Sequence, residues 1–222
     1  PSGGYWSTDE ILPPVREGDA ERACTEREPS HPHFDRHIRN EDPRPDIRRV
    51  LHGGIGLCVT GNVMIDHGAV GEPGNVVIAD DRDLPALKEW AKAATANKTQ
   101  CWVQLNHPGK QAPKGLNKDG TVSPSAVPFR SDMAAFFATP RELTDAEVRA
   151  LIQRFGDAAK VVKKAGFSGV QIHGAHGYLV SQFLSPHHNV RTDDWGGTPE
   201  KRRRFVLEVY AAMRKAVGAK FP

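Results

Sequence analysis

The sequence predicts an α/β fold built from parallel βα units, and three observations carry that prediction. Short apolar runs alternate with stretches of helical period. The breaks between them fall on glycine, proline and capping residues, and every polar cluster of chemical interest lies at or just after the end of an apolar run. Alternation of this kind brings strands together in parallel, with helices as crossovers.

The first predicted strand covers 55–60, where Ile55, Leu57, Cys58 and Val59 form an apolar run bounded by glycines, as in a strand buried on both faces. A helix is predicted over 83–97, because Leu84, Leu87, Ala91 and Ala94 recur at helical spacing and Asp83 can cap it. Residues 101–105 read as the next strand. A Pro- and Gly-rich connection from His107 to Pro140 follows, and loops of that length are usually functional. Thr144 and Glu147 have capping-box spacing, opening a helix whose stripe is Val148, Leu151, Ile152, Phe155 and Val162. Gly166 ends that helix and a strand over 169–173 follows. Thr198 and Pro199 open the last helix, with Phe205, Val209 and Met213 on its apolar face. A further strand is expected to begin at Phe221. Residues 1–52 are crowded with charge, proline and histidine and read as an irregular segment, whereas 53–222 form the regular domain.

Bulk properties narrow the function. The chain has 222 residues, 38% hydrophobic and 26% charged, which is globular composition. A net charge of +3 demands no polyanionic partner. The densest basic run, Lys201–Arg204, falls at a helix start and reads as a solvated face, so no nucleic-acid binding is expected. No stretch approaches the ~20 apolar residues of a membrane helix. Cys24, Cys58 and Cys101 lack disulfide spacing, which points to buried free thiols in a reducing compartment. Residues 1–10 have no charged-then-apolar signal pattern, so a cytoplasmic location is expected. The chain lacks an initiator Met, as a trimmed or excised piece would.

Three clusters can carry chemistry. In 169–178, His173 and His176 flank small residues and Tyr178 follows. Two imidazoles can donate to one ligand oxygen, and a phenol can supply a proton. A metal pair is the rival reading of His-x-x-His; His187 and His188 could be recruited, but no third ligand has persuasive spacing. In 104–109, the Gln104 amide can pair donor and acceptor with a heterocycle edge. In 60–62, Gly61 permits close approach of a ligand to the backbone. Each cluster taken singly also fits an ordinary polar strand end.

Together with Ser181–Pro186, the Asn189–Gly197 string, Arg202 to Phe205, Thr60–Met64 and the Gln104–Lys110 motif, these residues resemble the Old Yellow Enzyme family of NADH:flavin oxidoreductases. The likeness runs from Gly53 to Val217 in order and with matching gaps. It implies a TIM-type (β/α)8 barrel, here incomplete, covering about the first four βα units; a full barrel needs roughly 250 residues. It implies FMN as cofactor, NADPH or NADH as reductant, and an α,β-unsaturated carbonyl or nitro compound as substrate. By the same resemblance His173 and His176 hold the substrate oxygen, reduced flavin delivers hydride, and Tyr178 protonates the opposite face. Gln104 pairs with the flavin pyrimidine edge and the backbone at Gly61 approaches the ring. Ala23, Cys24 and Thr25 resemble the end of the family's first strand, which would place Thr25 near the flavin.

The sequence departs from the pattern at Lys201 (usually asparagine), at Trp195 (usually tyrosine), and over Glu28–Arg49, which is short and polar. The family's flavin-phosphate loops and its basic residue at the pyrimidine edge come after Phe221. This chain alone is therefore expected to bind FMN weakly or not at all unless a partner completes the barrel, and an open half barrel can self-associate. Demethylation and nitro reduction are alternative reactions of the same family. A metal hydrolase is a distant reading. The alternative from a different class is a truncated, catalytically inactive flavoprotein fragment acting as an interaction module.

Overall fold

Three parallel strands form the sheet. The structure is a computed structural model that describes residues 55–222. In chain order these are β1 (Leu57–Met64), α1 (Leu84–Ala94), β2 (Gln100–Asn106), β3 (Val122–Ser123) and β4 (Arg141–Glu142). They continue with α2 (Asp145–Ala165), β5 (Gly169–Ile172), α3 (Leu179–Leu184) and α4 (Pro199–Val217). The sheet order is β1-β2-β5, every pair parallel. This is the βα alternation the sequence predicts.

The two faces of β2 are chemically different. Cys101, Val103 and Leu105 are almost fully buried and belong to the core formed with α1 and α2. Trp102 and Gln104 alternate onto the other face. Register carries that division to the neighbouring strands: Asn62 pairs with Gln104, and Gln104 pairs with Gln171. One face of the sheet is thus a helix-covered apolar core, and the other carries amides.

The helix boundaries follow their sequence signals. Thr144 accepts a hydrogen bond from the Glu147 amide, while the Glu147 carboxylate accepts one from the Thr144 amide, a complete capping box. Gly166 closes α2 in a left-handed conformation, φ 102. Thr198 caps α4, with Pro199 in its first turn. The α2 and α4 helices pack together through Phe155 and Phe205, and Phe205 stacks on Phe183 of α3 at 4.1 Å between ring centroids.

Four expectations need correction. β1 does not stop at Thr60: it passes through Gly61 and Asn62 to Met64, with a register shift between Val59 and Asn62. Residues 60–62 are thus an irregularity inside a strand and not its end. Asp83 precedes α1 without a side-chain capping bond, and α1 ends at Ala94 because Asn97 adopts φ 56 in a following 3-10 turn. The long connection is closed by the two-residue β3–β4 pair, and the short α3 follows Tyr178. Cys101 is buried as expected, but Cys58 is half-buried. At the other end, the Val170 amide donates to the Pro222 carbonyl at 3.1 Å, so the chain's last residue runs beside β5.

Candidate active site

β5 ends by delivering His173 to the C-terminal edge of the sheet, where its amide donates to the Leu105 carbonyl at 2.9 Å. The side chain is 5% exposed. Its Nδ1 accepts from the Ala175 amide at 3.3 Å, so Nδ1 bears the lone pair and Nε2 carries the proton. Burial and the neighbouring His176 hold the His173 pKa below the usual histidine value. The ring is therefore a neutral donor at neutral pH.

The chain then reverses through two consecutive left-handed residues, His176 at φ 58 and Gly177 at φ 76. Glycine suits the second position on two grounds. Its φ is unfavourable for a side chain, and an added Cβ would lie 2.8 Å from Gln111 Oε1. The reversal brings three side chains together: the His173 ring centroid is 5.2 Å from that of His176 and 4.9 Å from that of Tyr178. Asn62, in β1, donates through Nδ2 to the Tyr178 hydroxyl at 3.4 Å. The three residues of the strongest sequence motif thus form one cluster.

The amide face of the sheet lies behind that cluster. Gln104 Nε2 donates to Gln171 Oε1 at 2.7 Å. The Gln104 amide donates to Thr60 Oγ1 at 3.0 Å, and that hydroxyl donates to the Gly61 carbonyl at 2.8 Å. This ties the irregular part of β1 to β2. Among the described residues, a Cβ built on Gly61 would meet nothing within 4 Å. Ala23, Cys24 and Thr25 lie outside the described residues.

Several residues have structural parts the sequence motifs did not assign. Gln171 and Asn62 join the amide face through strand alternation and register. Lys110 is 1% exposed; its ammonium donates to the carbonyls of Val127 (2.8 Å) and Pro128 (3.2 Å) and lies 3.0 Å from His188 Nδ1. Three acceptors for three N–H groups make it a clamp on the long connection. His187 and His188 form their own ring pair. Among the described residues no group of three His, Cys, Asp or Glu side chains is placed to hold a metal ion. No described helix is long and apolar enough to cross a membrane.

His107 leads to a stability prediction. It is buried, its Nδ1 accepts from the Gly109 amide at 3.0 Å, and burial lowers its pKa to about 4. A histidine of depressed pKa stabilises the fold above its unfolded pKa of about 6.5, and that contribution is lost as pH falls from there toward the folded value. The full loss is about 3 kcal/mol at 1.36 kcal/mol per unit. Denaturant melts at several pH values should show His107→Gln losing less stability than wild type across this window. Equal pH slopes would contradict the assignment.

The fold and cluster define a class: a parallel βα protein in which His173, His176 and Tyr178 gather just beyond the C-terminal end of β5. The chain belongs to the NADH:flavin oxidoreductase / NADH oxidase family, whose model matches residues 47–221. This is the family of Old Yellow Enzyme that the motifs resemble. The NADH-dependent flavin oxidoreductase iccE of Talaromyces variabilis is 39% identical over 185 residues, covering 76% of this chain and 45% of that protein. Among solved structures, 2-naphthoyl-CoA reductase aligns with TM-score 0.72 and 30% identity over 85% of this chain and 29% of its own. Morphinone reductase aligns with TM-score 0.70 and 28% identity over 79% of this chain and 51% of its own. The chain spans just under half the length of several curated relatives it matches.

The residues present fit a flavin. Gln104 and Gln171 offer amide donors and acceptors on one face, matching the N–H and C=O groups of a pyrimidine-dione edge. At Gly61 no described atom lies within 4 Å of an added Cβ, so its backbone would tolerate a flat ring laid against it.

Proposed function

We propose that this chain carries the substrate-activating half of an FMN-dependent ene-reductase, which reduces carbon–carbon double bonds conjugated to a carbonyl or nitro group. The observation that carries the proposal is the clustering of His173, His176 and Tyr178 beside the Gln104–Gln171 amide face. Gln104 and the backbone at Gly61 would hold FMN, which when bound would supply two electrons as hydride, with NADH or NADPH as their source.

The protein's own groups do the rest. The Nε2–H of His173 and the His176 ring bind the substrate oxygen and hold it as negative charge develops there, which polarises the conjugated bond toward its β-carbon. Tyr178 gives its phenolic proton to the α-carbon, and solvent returns it. One hydride and one proton are thus added across the double bond while the oxygen ends uncharged. Asn62 donates to the Tyr178 oxygen and favours the phenolate that forms as the proton leaves.

Product analysis tests this reading. Incubation with FMN, NADH and 2-cyclohexenone should give cyclohexanone at a rate above that of free FMN. Steady NADH oxidation without ketone would sink it.

A further inference from the structure

Gln182 sits one turn into α3, with its side chain completely buried. Burying a primary amide is costly unless its polar atoms are matched. Here all are used. Nε2 donates to the Gly177 carbonyl at 2.6 Å and to the Pro108 carbonyl at 3.2 Å. Oε1 accepts from the Lys110 amide at 3.2 Å and the Ser123 hydroxyl at 3.3 Å. Two donors and two lone pairs saturate a carboxamide.

The partners place this amide at a junction. Pro108 and Lys110 belong to the loop leaving β2, and Ser123 belongs to β3. Gly177 is the residue between His176 and Tyr178, in the left-handed reversal that sets where those two rings stand. The shortest of the four bonds is the one to Gly177. The Leu179 amide adds a second tie, donating to the His107 carbonyl at 3.0 Å.

We infer that Gln182 is a positioning residue for the proposed reaction: by holding the Gly177 carbonyl it fixes His176 and Tyr178 relative to His173. This rests on the ene-reductase reading for its kinetic consequence, though not for its structural one. The same amide also staples the β2 loop to β3, so the test must separate holding the turn from general stapling.

Gln182→Glu does so. The variant keeps size, shape and the accepting oxygen. Its second oxygen is a donor only when the carboxyl is protonated, and burial raises a carboxyl pKa. When ionised it sets negative charge against the Gly177 and Pro108 carbonyls. Enone reduction by Q182E is expected to be close to wild type at about pH 6 and to lose roughly 10- to 100-fold in kcat at about pH 8. The KM for NADH should stay unchanged. The imidazole NMR signals of His173 and His176, recorded without FMN, should move away from their wild-type positions over the same pH range. Gln182→Met should show the loss with no recovery in acid.

Ser123→Ala is the control for stapling. It removes a contact to β3 but none to Gly177, and should lower the melting temperature while leaving the two histidine signals in place. If Q182E does not fold at about pH 8, this variant decides alone. Displacement of the histidine signals by S123A would overturn the inference. So would Q182E signals that track wild type at both pH values, or a pH-independent loss equal to that of Gln182→Met. A wild-type chain that reduces no enone would refute the ene-reductase reading, while the NMR comparison would still judge Gln182.

Discussion

Replacing Tyr178 by phenylalanine is expected to lower the rate of enone reduction by roughly 10²- to 10⁴-fold, the usual range for a positioned general acid. The loss should appear in kcat, since the role proposed for the phenol is proton transfer to the α-carbon and not substrate binding. Reduction of the cofactor by NADH should be unchanged, because that half of the cycle needs no proton from Tyr178. The ring itself should stay in place: its edge contact with His173, 4.9 Å between centroids, does not involve the hydroxyl. The measurement is a pair of single-turnover experiments, one for each half of the cycle. Equal slowing of both halves would show a disturbed site, and an unchanged enone rate would remove Tyr178 from the chemistry.

The second large effect is on substrate activation. On the proposed mechanism, changing His173 or His176 to alanine would remove one of the two donors to the substrate oxygen. Loss of a donor of that kind costs roughly 10²–10³ in rate. The double variant should lose less than the product of the single losses, because the two rings act on one oxygen. His173 should matter more, since it is buried and its Nδ1 bond to the Ala175 amide commits Nε2 to donating. His173→Asn restores a donor of similar reach and should recover part of the rate. Steady-state kinetics with a single enone settle the order. A double variant with wild-type kcat/KM would move the substrate oxygen elsewhere.

Much of this architecture can be read from the chain because local chemistry and tertiary packing agree. The Thr144–Glu147 box, the Gly166 stop and the Thr198–Pro199 start are set by interactions within a few residues, so the sequence locates α2 and α4 well. The apolar run alone places the end of β1 too early, because Gly61 and Asn62 break it. What carries the strand onward is its pairing with β2, through Asn62 and Gln104, a contact 42 residues away. The six-residue α3 is too short for a helical period to register, and β3 and β4 are two residues each.

The candidate site divides in the same way. His173, His176 and Tyr178 sit in one continuous motif, so their residue types and spacing flag them together. Gln171 lies in the same string, but its pairing with Gln104 follows only from strand register. Gln182 gives no sequence signal of its role, because the carbonyls and amides that saturate it come from three separate segments.

The most direct test of the central claim is spectroscopic. The chain is mixed with saturating FMN under anaerobic conditions, reduced with one equivalent of NADH, and then given 2-cyclohexenone while the flavin band is followed. The account predicts that the band bleaches and returns on adding the enone, with one ketone formed per flavin reoxidised and faster than with free FMN. A band that bleaches and recovers only when oxygen is admitted would contradict it.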